Sequence, residues 1–356
     1  MKIQEKFMKR CIQLGRMGFP AASPNPAVGC IIECDGQVIG EGYTQAFGGP
    51  HAEVMALSSV KNQDVLSKAT IYVSLEPCSH YGKTPPCVNR ILESGIPRVV
   101  VGILDPNPQV AGQGIHRLLE AGRQVHVGVL EEEIRSELRF FLTAQEQKRP
   151  YTVLKWAQSA DGFIAPLAST RTEKTPVWLT NRAARQRVHQ YRTEIQSILI
   201  GWKTAEEDQA QLTARDWAGP SPRRILIDPQ GKTSPHSPIF DQSAPTTLFV
   251  NQGMTYAALA PIEVEQIRGS VNELPKQVAG YLHRKQCNSL LVEGGAFTLS
   301  TYLHSGQWDE IRLFRSPVEL GDGVAAPQFK ADFIRQEAIG NNQLEFYKNT
   351  QNSFLI

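Results

Sequence analysis

The sequence predicts an α/β protein built from two domains. At 356 residues, the chain is longer than one hydrophobic core usually organises. Short β-rich segments alternate with helical segments along the chain, which is typical of α/β folds. A new β-rich segment restarts this pattern after Pro150. We therefore predict an N-terminal domain over residues 1–147 and a C-terminal domain over residues 150–356.

The N-terminal domain is predicted to begin with an amphipathic helix, because apolar residues from Ile3 to Leu14 recur at helical spacing. A β-hairpin is predicted around Asp35-Gly36, a favoured two-residue turn. Helices and strands then alternate up to residue 147. They are predicted at 51–57 (helix), 70–75 (strand), 88–94 (helix), 98–104 (strand), 114–121 (helix), 124–129 (strand) and 131–147 (helix).

The C-terminal domain continues the alternation with more strands than helices. A polar, turn-rich loop is predicted over 165–176. Thr180 is the predicted N-cap of a helix over 181–192, and Gly306 is predicted to end a helix over 297–304. The predicted strands lie at 151–156, 197–201, 224–228, 246–250, 289–293, 310–314 and 344–347.

Composition and charge exclude several classes of protein. The net charge is +2 with both signs interspersed, which gives no reason to expect nucleic acid or an anionic membrane as partner. No apolar run approaches the ~18 residues of a membrane span, and no signal-peptide core follows the basic N-terminus. Six cysteines without an export signal favour a reducing compartment. We therefore expect a cytoplasmic protein that acts on small molecules.

One stretch of the N-terminal domain carries the clearest chemistry. His51, Cys78 and Cys87 are ligand types that suit Zn²⁺ and leave a fourth tetrahedral position for water. In zinc deaminases the glutamate two residues after the histidine, here Glu53, moves protons while water attacks an amino-bearing ring carbon. The usual signature ends in Pro-Cys-x-x-Cys, whereas eight residues separate the two cysteines here. A closed structural zinc site with His80 as fourth ligand is the alternative.

This wide cysteine spacing is the expected form in one family. The run over 76–87, Glu-Pro-Cys-Ser-His-Tyr-Gly-Lys-Thr-Pro-Pro-Cys, closely resembles the deaminase half of the bifunctional pyrimidine deaminase/reductase of riboflavin biosynthesis. The runs over 24–29 and 105–112 also resemble that family. The resemblance is dense over roughly the first 145 residues and thinner after them. It implies a cytidine-deaminase-like, three-layer α/β/α fold for the N-terminal domain.

The resemblance also implies residues that bind a pyrimidine substrate. Asn25 lies where the family holds the pyrimidine edge, and its amide offers both a donor and an acceptor. His80 and Lys83 match positions near the substrate, where Lys83 can meet a phosphate. From the residues alone, the alternative for Asn25 is a turn residue between two prolines, and the alternative for Lys83 is a solvated loop lysine. Thr44 stands where the family often has histidine.

In the C-terminal domain, a glycine corner after a predicted strand is the strongest signal from the residues themselves. Gly294 and Gly295 precede a helix whose first N–H groups could cradle a phosphate. No Gly-x-Gly-x-x-Gly follows the first strand, so a Rossmann dinucleotide site is not supported. The resemblance instead implies the dihydrofolate-reductase fold with NADPH as cofactor.

The resemblance assigns site residues to the C-terminal domain position by position. Lys155, Asp208 and Glu293 are the ionisable candidates for proton donation in the reduction. Pro176 and Pro229 replace serines that contact ligand in the family. The residues implied for cofactor binding are Ala157, Trp178, Thr204, Asp208, Gly295, Ala296, Phe297, Thr298, Leu299, Ser300 and Thr301. The residues implied for substrate binding are Arg192, Leu212, Arg215 and Glu293.

Together these features support the hypothesis of a bifunctional enzyme with one zinc ion per chain. The N-terminal domain would hydrolytically deaminate 2,5-diamino-6-ribosylamino-4(3H)-pyrimidinone 5′-phosphate, and the C-terminal domain would reduce the ribosyl to the ribityl chain with NADPH. One alternative makes the C-terminal half a non-catalytic ligand-binding module. Another makes the N-terminal half a nucleic-acid deaminase, which the balanced charge disfavours. The resemblance further implies a homodimer formed through the C-terminal domain.

Overall fold

The computed structural model describes residues 3–81, 85–107, 111–171, 174–257 and 259–352. The chain forms two compact units, one ending at Lys148 and the other beginning at Arg149. Each unit has its own sheet and its own hydrophobic core, so the predicted α/β class is confirmed for both. No helix within these ranges is long and apolar enough to cross a membrane.

The first unit is a five-stranded sheet with helices packed on it. Its elements are α1 (Glu5–Gly18), β1 (Gly29–Cys34), β2 (Gln37–Tyr43), α2 (Ala52–Ser59), β3 (Thr70–Leu75), α3 (Cys87–Glu93), β4 (Arg98–Ile103), α4 (Gln113–Glu120), β5 (Gln124–Val127), α5 (Glu131–Glu137) and α6 (Arg139–Gln147). The strand order is β2-β1-β3-β4-β5. Strand β1 is antiparallel to both neighbours, whereas β3, β4 and β5 are parallel.

Burial along the central strands shows that both faces of this sheet are covered. Every residue of β1 and of β3 is buried. Because successive side chains of a strand point to opposite faces, complete burial requires packing on each side. Helix α1 packs against β1 and β3, α2 against β1 and β2, and α5 against β4. The result is the three-layer α/β/α arrangement that the sequence predicted.

Local backbone conformation explains two features of the first unit, a hairpin turn and a break between two helices. Asp35 and Gly36 both have positive φ, 52° and 80°, which confirms the predicted two-residue hairpin turn. The helix predicted over 131–147 is in fact two helices, α5 and α6, joined at Leu138. Leu138 has φ −91° and ψ 11°, outside the helical region, so it ends the first helix and starts the second.

The second unit is built on a nine-stranded mixed sheet. Its elements are β6 (Tyr151–Gln158), β7 (Phe163–Ala165), α7 (Arg182–Glu194), β8 (Ser197–Gly201), α8 (Trp202–Asp208), β9 (Arg223–Ile227), β10 (Thr246–Asn251), β11 (Glu263–Ile267), α9 (Leu274–Arg284), β12 (Ser289–Gly294), α10 (Ala296–Ser305), β13 (Glu310–Arg315), β14 (Val324–Ala325), β15 (Asp332–Ile339) and β16 (Asn342–Lys348). The strand order is β11-β10-β9-β8-β12-β6-β13-β16-β15. From β11 to β13 the pairings are parallel, and the last two are antiparallel.

Apolar periodicity alone does not predict every strand and helix boundary of the second unit. Strand β15 is exposed along most of its length, so it lacks the buried pattern by which strands are recognised. Helix α9 does carry a start signal, because Ser270 and Glu273 form a capping box just before it. The helix predicted over 181–192 begins one residue later, because the side chain of Asn181 rather than Thr180 caps it and accepts from the N–H of Ala184.

The second unit begins with a buried ion pair. The Arg149 guanidinium donates two hydrogen bonds of 2.6 Å to the Asp309 carboxylate, which also accepts from the N–H of Thr152 at 2.8 Å. The side chains are 9% and 6% exposed. A buried charge is tolerated only when it is paired and hydrogen-bonded, so this carboxylate fixes the start of β6 against the start of β13.

We expect Asp309→Ala to destabilise the second unit by about 3–5 kcal/mol, because it leaves a buried guanidinium without its partner. All five tryptophans of the chain follow residue 150, so their fluorescence during urea unfolding reports the second unit. Asp332→Ala, on the exposed strand β15, is the matched control and should change stability by less than about 0.5 kcal/mol. Equal stability of the two variants would show that the ion pair contributes nothing.

Candidate active sites

Three potential metal ligands converge at one edge of the first sheet. His51 is the N-cap of α2, Cys78 follows β3, and Cys87 is the first residue of α3. His51 Nδ1 lies 3.7 Å from the Sγ of Cys78 and 3.4 Å from the Sγ of Cys87. All three ligand atoms lie within 4.8 Å of one another. A tetrahedral zinc ion, with bonds of about 2.0–2.3 Å, spaces such ligands by about 3.5–3.8 Å.

The chemistry of these donors also fits zinc. Hydrogen bonding from the Cys87 thiol lowers the pKa of Cys78, although burial opposes the shift, and the same bond raises the pKa of Cys87. The backbone N–H of Cys87 donates to the Cys78 sulfur at 3.2 Å. The pair therefore presents one thiolate and one thiol that a metal ion would deprotonate. Within the described ranges no fourth protein ligand joins the group, and His80 is exposed outside it.

Glu53 lies beside this group but is not one of its potential ligands. It belongs to the first turn of α2, two residues after His51, and is 4% exposed. Burial raises the pKa of Glu53, and the nearby Cys78 adds to the shift. A buried carboxyl group with a raised pKa can take up and release a proton near neutral pH.

The remaining residues that the resemblance placed near the substrate in the first unit are Asn25, Lys83 and Thr44. Asn25 is half-buried in the turn after α1, where its N–H donates to the carbonyl of Ala22 at 2.9 Å. Lys83 lies outside the described residues. Thr44 is buried and accepts from the N–H of Val28 at 3.1 Å, which is a structural role.

Sequence reasoning missed a residue that supports the segment between the cysteines. Arg117, on α4, donates to the carbonyl of Ser79 at 3.0 Å and also bonds the side chain of Asn89. This arginine is separated from Ser79 by 38 residues, so no local pattern indicates the contact. Ser79, the residue after Cys78, is thereby held against α4.

The second unit contains a cavity of about 980 Å³. It brings together nearly all residues that the sequence assigned to the C-terminal site. Lys155, Ala157, Trp178, Arg192, Thr204, Asp208, Leu212, Arg215, Glu293, Gly295, Ala296, Phe297, Thr298, Leu299 and Thr301 line it. Ser300 is not among the lining residues, and its carbonyl oxygen lies 2.7 Å from His304 Nδ1. Pro176 and Pro229 also line the cavity.

A buried charge cluster lies in this cavity. Arg192 donates to both carboxylate oxygens of Glu293, at 3.0 and 2.8 Å, and Lys155 Nζ lies 3.7 Å from the same carboxylate. Burial alone would raise the pKa of Glu293, but Arg192 and Lys155 lower it to about 2. Burial also lowers the pKa of Lys155, although Glu293 opposes the shift. Glu293 is therefore ionised, whereas Lys155 can lose its proton more readily than an ordinary lysine.

Backbone strain is present beside this cluster. Leu212 lines the cavity with φ +59°, in the left-handed region that non-glycine residues rarely adopt. Its neighbours are held in place, because Arg192 donates to the carbonyl of Thr213 at 3.0 Å and Arg224 to that of Gln211 at 3.2 Å. Gly295, at the start of α10, has φ +59° and carries no side chain between the helix N-terminus and the cavity.

Two lining residues were not singled out from the sequence. Arg171, from the predicted loop over 165–176, donates to Asp208 at 2.8 Å and lies 3.3 Å from Glu207. His189 is buried beside Arg192, and burial lowers its pKa. The contact of Arg171 with Asp208 joins residues 37 positions apart, whereas His189 and Arg192 lie on the same helix, α7. Residues 172 and 173 of that loop lie outside the described residues.

Charge is unevenly placed around the cavity. Among the described residues, seven cationic side chains line it against three anionic ones, an excess of four, although the whole chain carries only +2. The cations are Lys155, Arg171, Lys174, Arg185, Arg192, Lys203 and Arg215, and the anions are Glu207, Asp208 and Glu293.

Comparison with known proteins agrees with both halves of the structure. Residues 1–103 match the family described as cytidine and deoxycytidylate deaminase zinc-binding region, and residues 150–348 match the RibD C-terminal domain. The riboflavin biosynthesis protein RibD of Aquifex aeolicus is 36% identical over 326 residues, covering 91% of this chain and 90% of the relative. The RibD of Escherichia coli is 34% identical, covering 93% and 96%.

The chain belongs to the RibD family. Both domains of a bifunctional deaminase and reductase of riboflavin biosynthesis are therefore present in it, as the sequence predicted. A Thermotoga maritima structure described as a diaminohydroxyphosphoribosylaminopyrimidine deaminase/5-amino-6-(5-phosphoribosylamino)uracil reductase is 34% identical, with a TM-score of 0.86 and coverage of 97% and 98%. RibD of Acinetobacter baumannii is 30% identical, with a TM-score of 0.86 and coverage of 98% and 99%.

We expect the purified RibD chain to hold about one zinc ion, and Cys87→Ser to weaken its binding by more than about 100-fold, because losing an outer-shell partner alone costs about 10- to 100-fold. Competition with a chromophoric chelator measures the affinity. Cys34→Ser, which changes a buried cysteine of β1 outside the ligand group, should keep the zinc. Retention of zinc by Cys87→Ser would exclude this ligand set.

Proposed function

We propose that this RibD protein is a zinc-dependent deaminase of 2,5-diamino-6-ribosylamino-4(3H)-pyrimidinone 5′-phosphate and an NADPH-dependent reductase of the deaminated product. One observation carries the proposal: His51, Cys78 and Cys87 surround one point, with Glu53 buried beside them. Family membership and the charged cavity of the second unit support the reductase half.

In the first unit, His51, Cys78 and Cys87 would hold the zinc ion. Bound there, zinc activates water for attack on the amino-bearing ring carbon. Glu53 takes a proton from that water and delivers a proton to the departing amine, so that one water is consumed and one ammonia released. The family resemblance supports contacts of Asn25 and His80 with the pyrimidine, and a phosphate contact for Lys83, which lies outside the described residues.

In the second unit, the N-terminus of α10 and residues along the cavity would hold NADPH, which supplies a hydride for the first carbon of the opened ribosyl chain. Lys155 donates the accompanying proton. Glu293 cannot, because it is ionised and has no proton to give, and Asp208 is paired with Arg171. Arg215 is an exposed guanidinium at the cavity, which suits the substrate phosphate.

Two further expectations rest on the family resemblance. We propose a homodimer formed through the second unit and a cytoplasmic location, where NADPH and the phosphorylated pyrimidine would be available. Strand β15, an exposed edge with Phe333 at 56% and Ile334 at 51% exposure, supports assembly through that unit.

We expect Glu53→Gln to slow ammonia release by about 100- to 10,000-fold, because the amide cannot move the proton. Zinc should remain bound, and NADPH oxidation with the deaminated substrate should be unchanged. Glu93→Gln, an exposed glutamate of α3, is the charge-matched control. Normal ammonia release by Glu53→Gln would remove this residue from the mechanism, and no release by the wild-type zinc protein would refute the deaminase.

We expect Lys155→Met to slow NADPH oxidation by at least about 100-fold while ammonia release is unaffected. Lys155 must be protonated to donate, and its pKa lies below the ordinary 10.5. The rate with saturating ligands should therefore fall as pH rises through that lowered pKa. Lys276→Met, on an exposed position of α9, should behave as wild type. If wild-type protein oxidises no NADPH with the deaminated substrate, the second unit is a binding module.

A further inference from the structure

The two cysteines of the metal group are separated by eight residues, whereas the usual zinc-deaminase signature separates them by two. In the short form, one tight turn carries both sulfur atoms. A longer connection leaves its two ends more freedom, and holding them together costs more conformational entropy. The relative position of Cys78 and Cys87 therefore has to be fixed by contacts between the two ends or by another element.

Two hydrogen bonds join the chain at Cys78 to the start of α3. The N–H of Cys87 donates to the Cys78 sulfur at 3.2 Å, and the N–H of Val88 donates to the Cys78 carbonyl at 3.2 Å. Both bonds end on Cys78. Bonds that meet in one residue restrain a distance better than an angle, so a contact away from Cys78 is needed to fix the direction of α3.

Arg117 of α4 supplies that contact. Its Nη1 donates to the carbonyl of Ser79 at 3.0 Å, and its Nη2 donates to the side-chain oxygen of Asn89 at 2.5 Å. Ser79 directly follows Cys78, and Asn89 lies two residues after Cys87 on α3. A guanidinium is planar and presents its donors in a fixed fork, so it holds two acceptors at a set distance. This one side chain bridges the two pieces of chain that carry the cysteines.

Helix α4, which carries Arg117, is anchored close to the same place. The N–H of Gly114, in its first turn, donates to the Glu76 carboxylate at 2.9 Å. A Cβ at Gly114 would collide with the carbonyl oxygen of Pro77, so the helix starts directly against the chain that leads to the first cysteine. Leu118, the next residue after Arg117, is fully buried. The arginine therefore extends from a helix that is held at its start and along its buried face.

Arg123 provides a comparison within the same part of the fold. It lies just after α4 and donates to the carbonyl of Leu92 at 3.3 Å, near the other end of α3. Like Arg117, it joins the α4 region to α3 through a guanidinium. It does so away from the cysteines, so it shares the packing role of Arg117 without the bridge across the metal ligands.

We propose that Arg117 is a positioning residue of the zinc site, which sets the spacing and direction of Cys78 and Cys87 in place of the tight turn of the short signature. This proposal rests on the zinc-binding part of the proposed function. Arg117 is not a ligand and acts through the carbonyl of Ser79 and the amide of Asn89. Without it the three ligands remain, but their geometry is less well matched to a tetrahedral ion.

The test is Arg117→Met, which keeps an apolar stem and removes both donors. We expect its zinc affinity, measured by competition with a chromophoric chelator, to fall by about 10- to 100-fold. In the metal-free protein, hydrogen exchange at the N–H groups of Cys87 and Val88 should accelerate by about tenfold. Arg123→Met is the matched control and should keep the wild-type values of both quantities.

Arg117→Lys separates the bridge from the charge. A lysine keeps the positive charge but lacks the planar fork, so the zinc affinity should stay at least about fivefold below that of wild type. Wild-type affinity in Arg117→Met or in Arg117→Lys overturns the proposal. An equal loss of affinity in Arg117→Met and Arg123→Met also overturns it, because general packing of α3 on α4 would then explain the effect.

If Arg117→Met does not fold, Asn89→Leu removes one of the two acceptors and must weaken zinc binding by about 3- to 10-fold. Unchanged zinc binding by that variant overturns the proposal. None of these measurements uses ammonia release. A wild-type protein that binds zinc but releases no ammonia therefore refutes the deaminase alone, whereas a wild-type protein that binds no zinc refutes the metal site and the role of Arg117 together.

Discussion

The metal site of the first unit depends on the convergence of one nitrogen atom and two sulfur atoms, from His51, Cys78 and Cys87, which lie in three separate parts of the chain. Two of the donors stand at helix starts, His51 as the N-cap of α2 and Cys87 as the first residue of α3. The backbone N–H of Cys87, at the start of α3, donates to the sulfur of Cys78, so this helix start favours the Cys78 thiolate. The third donor, Cys78, lies just beyond the end of β3, where the parallel part of the sheet leaves room for a ligand.

The cavity of the second unit contains buried charged groups of both signs. Glu293 balances Arg192 and Lys155, and each of the three would be costly to bury alone. The two cations interact unequally with Glu293, because Arg192 donates to both oxygens of its carboxylate whereas Lys155 Nζ lies farther away, at 3.7 Å. Glu293 therefore does not offset the effect of burial on Lys155, and the pKa of Lys155 stays below its ordinary value. The same arginine also fixes the strained backbone beside Leu212, so the charge cluster and the shape of the cavity depend on each other.

The sequence predicted those features whose signals are local. The hairpin at Asp35-Gly36 and most buried strands follow from turn residues and apolar runs. The grouping of His51 with the two cysteines follows from the ligand types and the family resemblance, because the cysteine spacing departs from the usual signature. Exposed strand β15 has no apolar pattern, and the break at Leu138 interrupts an otherwise continuous helical pattern. Glu76, Arg117 and Arg171 act through partners about 30 to 40 residues away. Gly114 leaves no room for a Cβ against the carbonyl oxygen of Pro77, and only the fold shows this close approach.

The excess of positive charge around the cavity of the second unit has a consequence for how ligands arrive there. A nearly neutral chain exerts little attraction at long range, yet a concave wall whose described lining has four more cationic than anionic side chains focuses its field outward. This field would attract phosphorylated molecules toward the opening of the cavity before any hydrogen bond forms. Dissolved salt weakens this guidance over distances of about 8–10 Å, so capture slows as ionic strength rises while the contacts of the bound state persist.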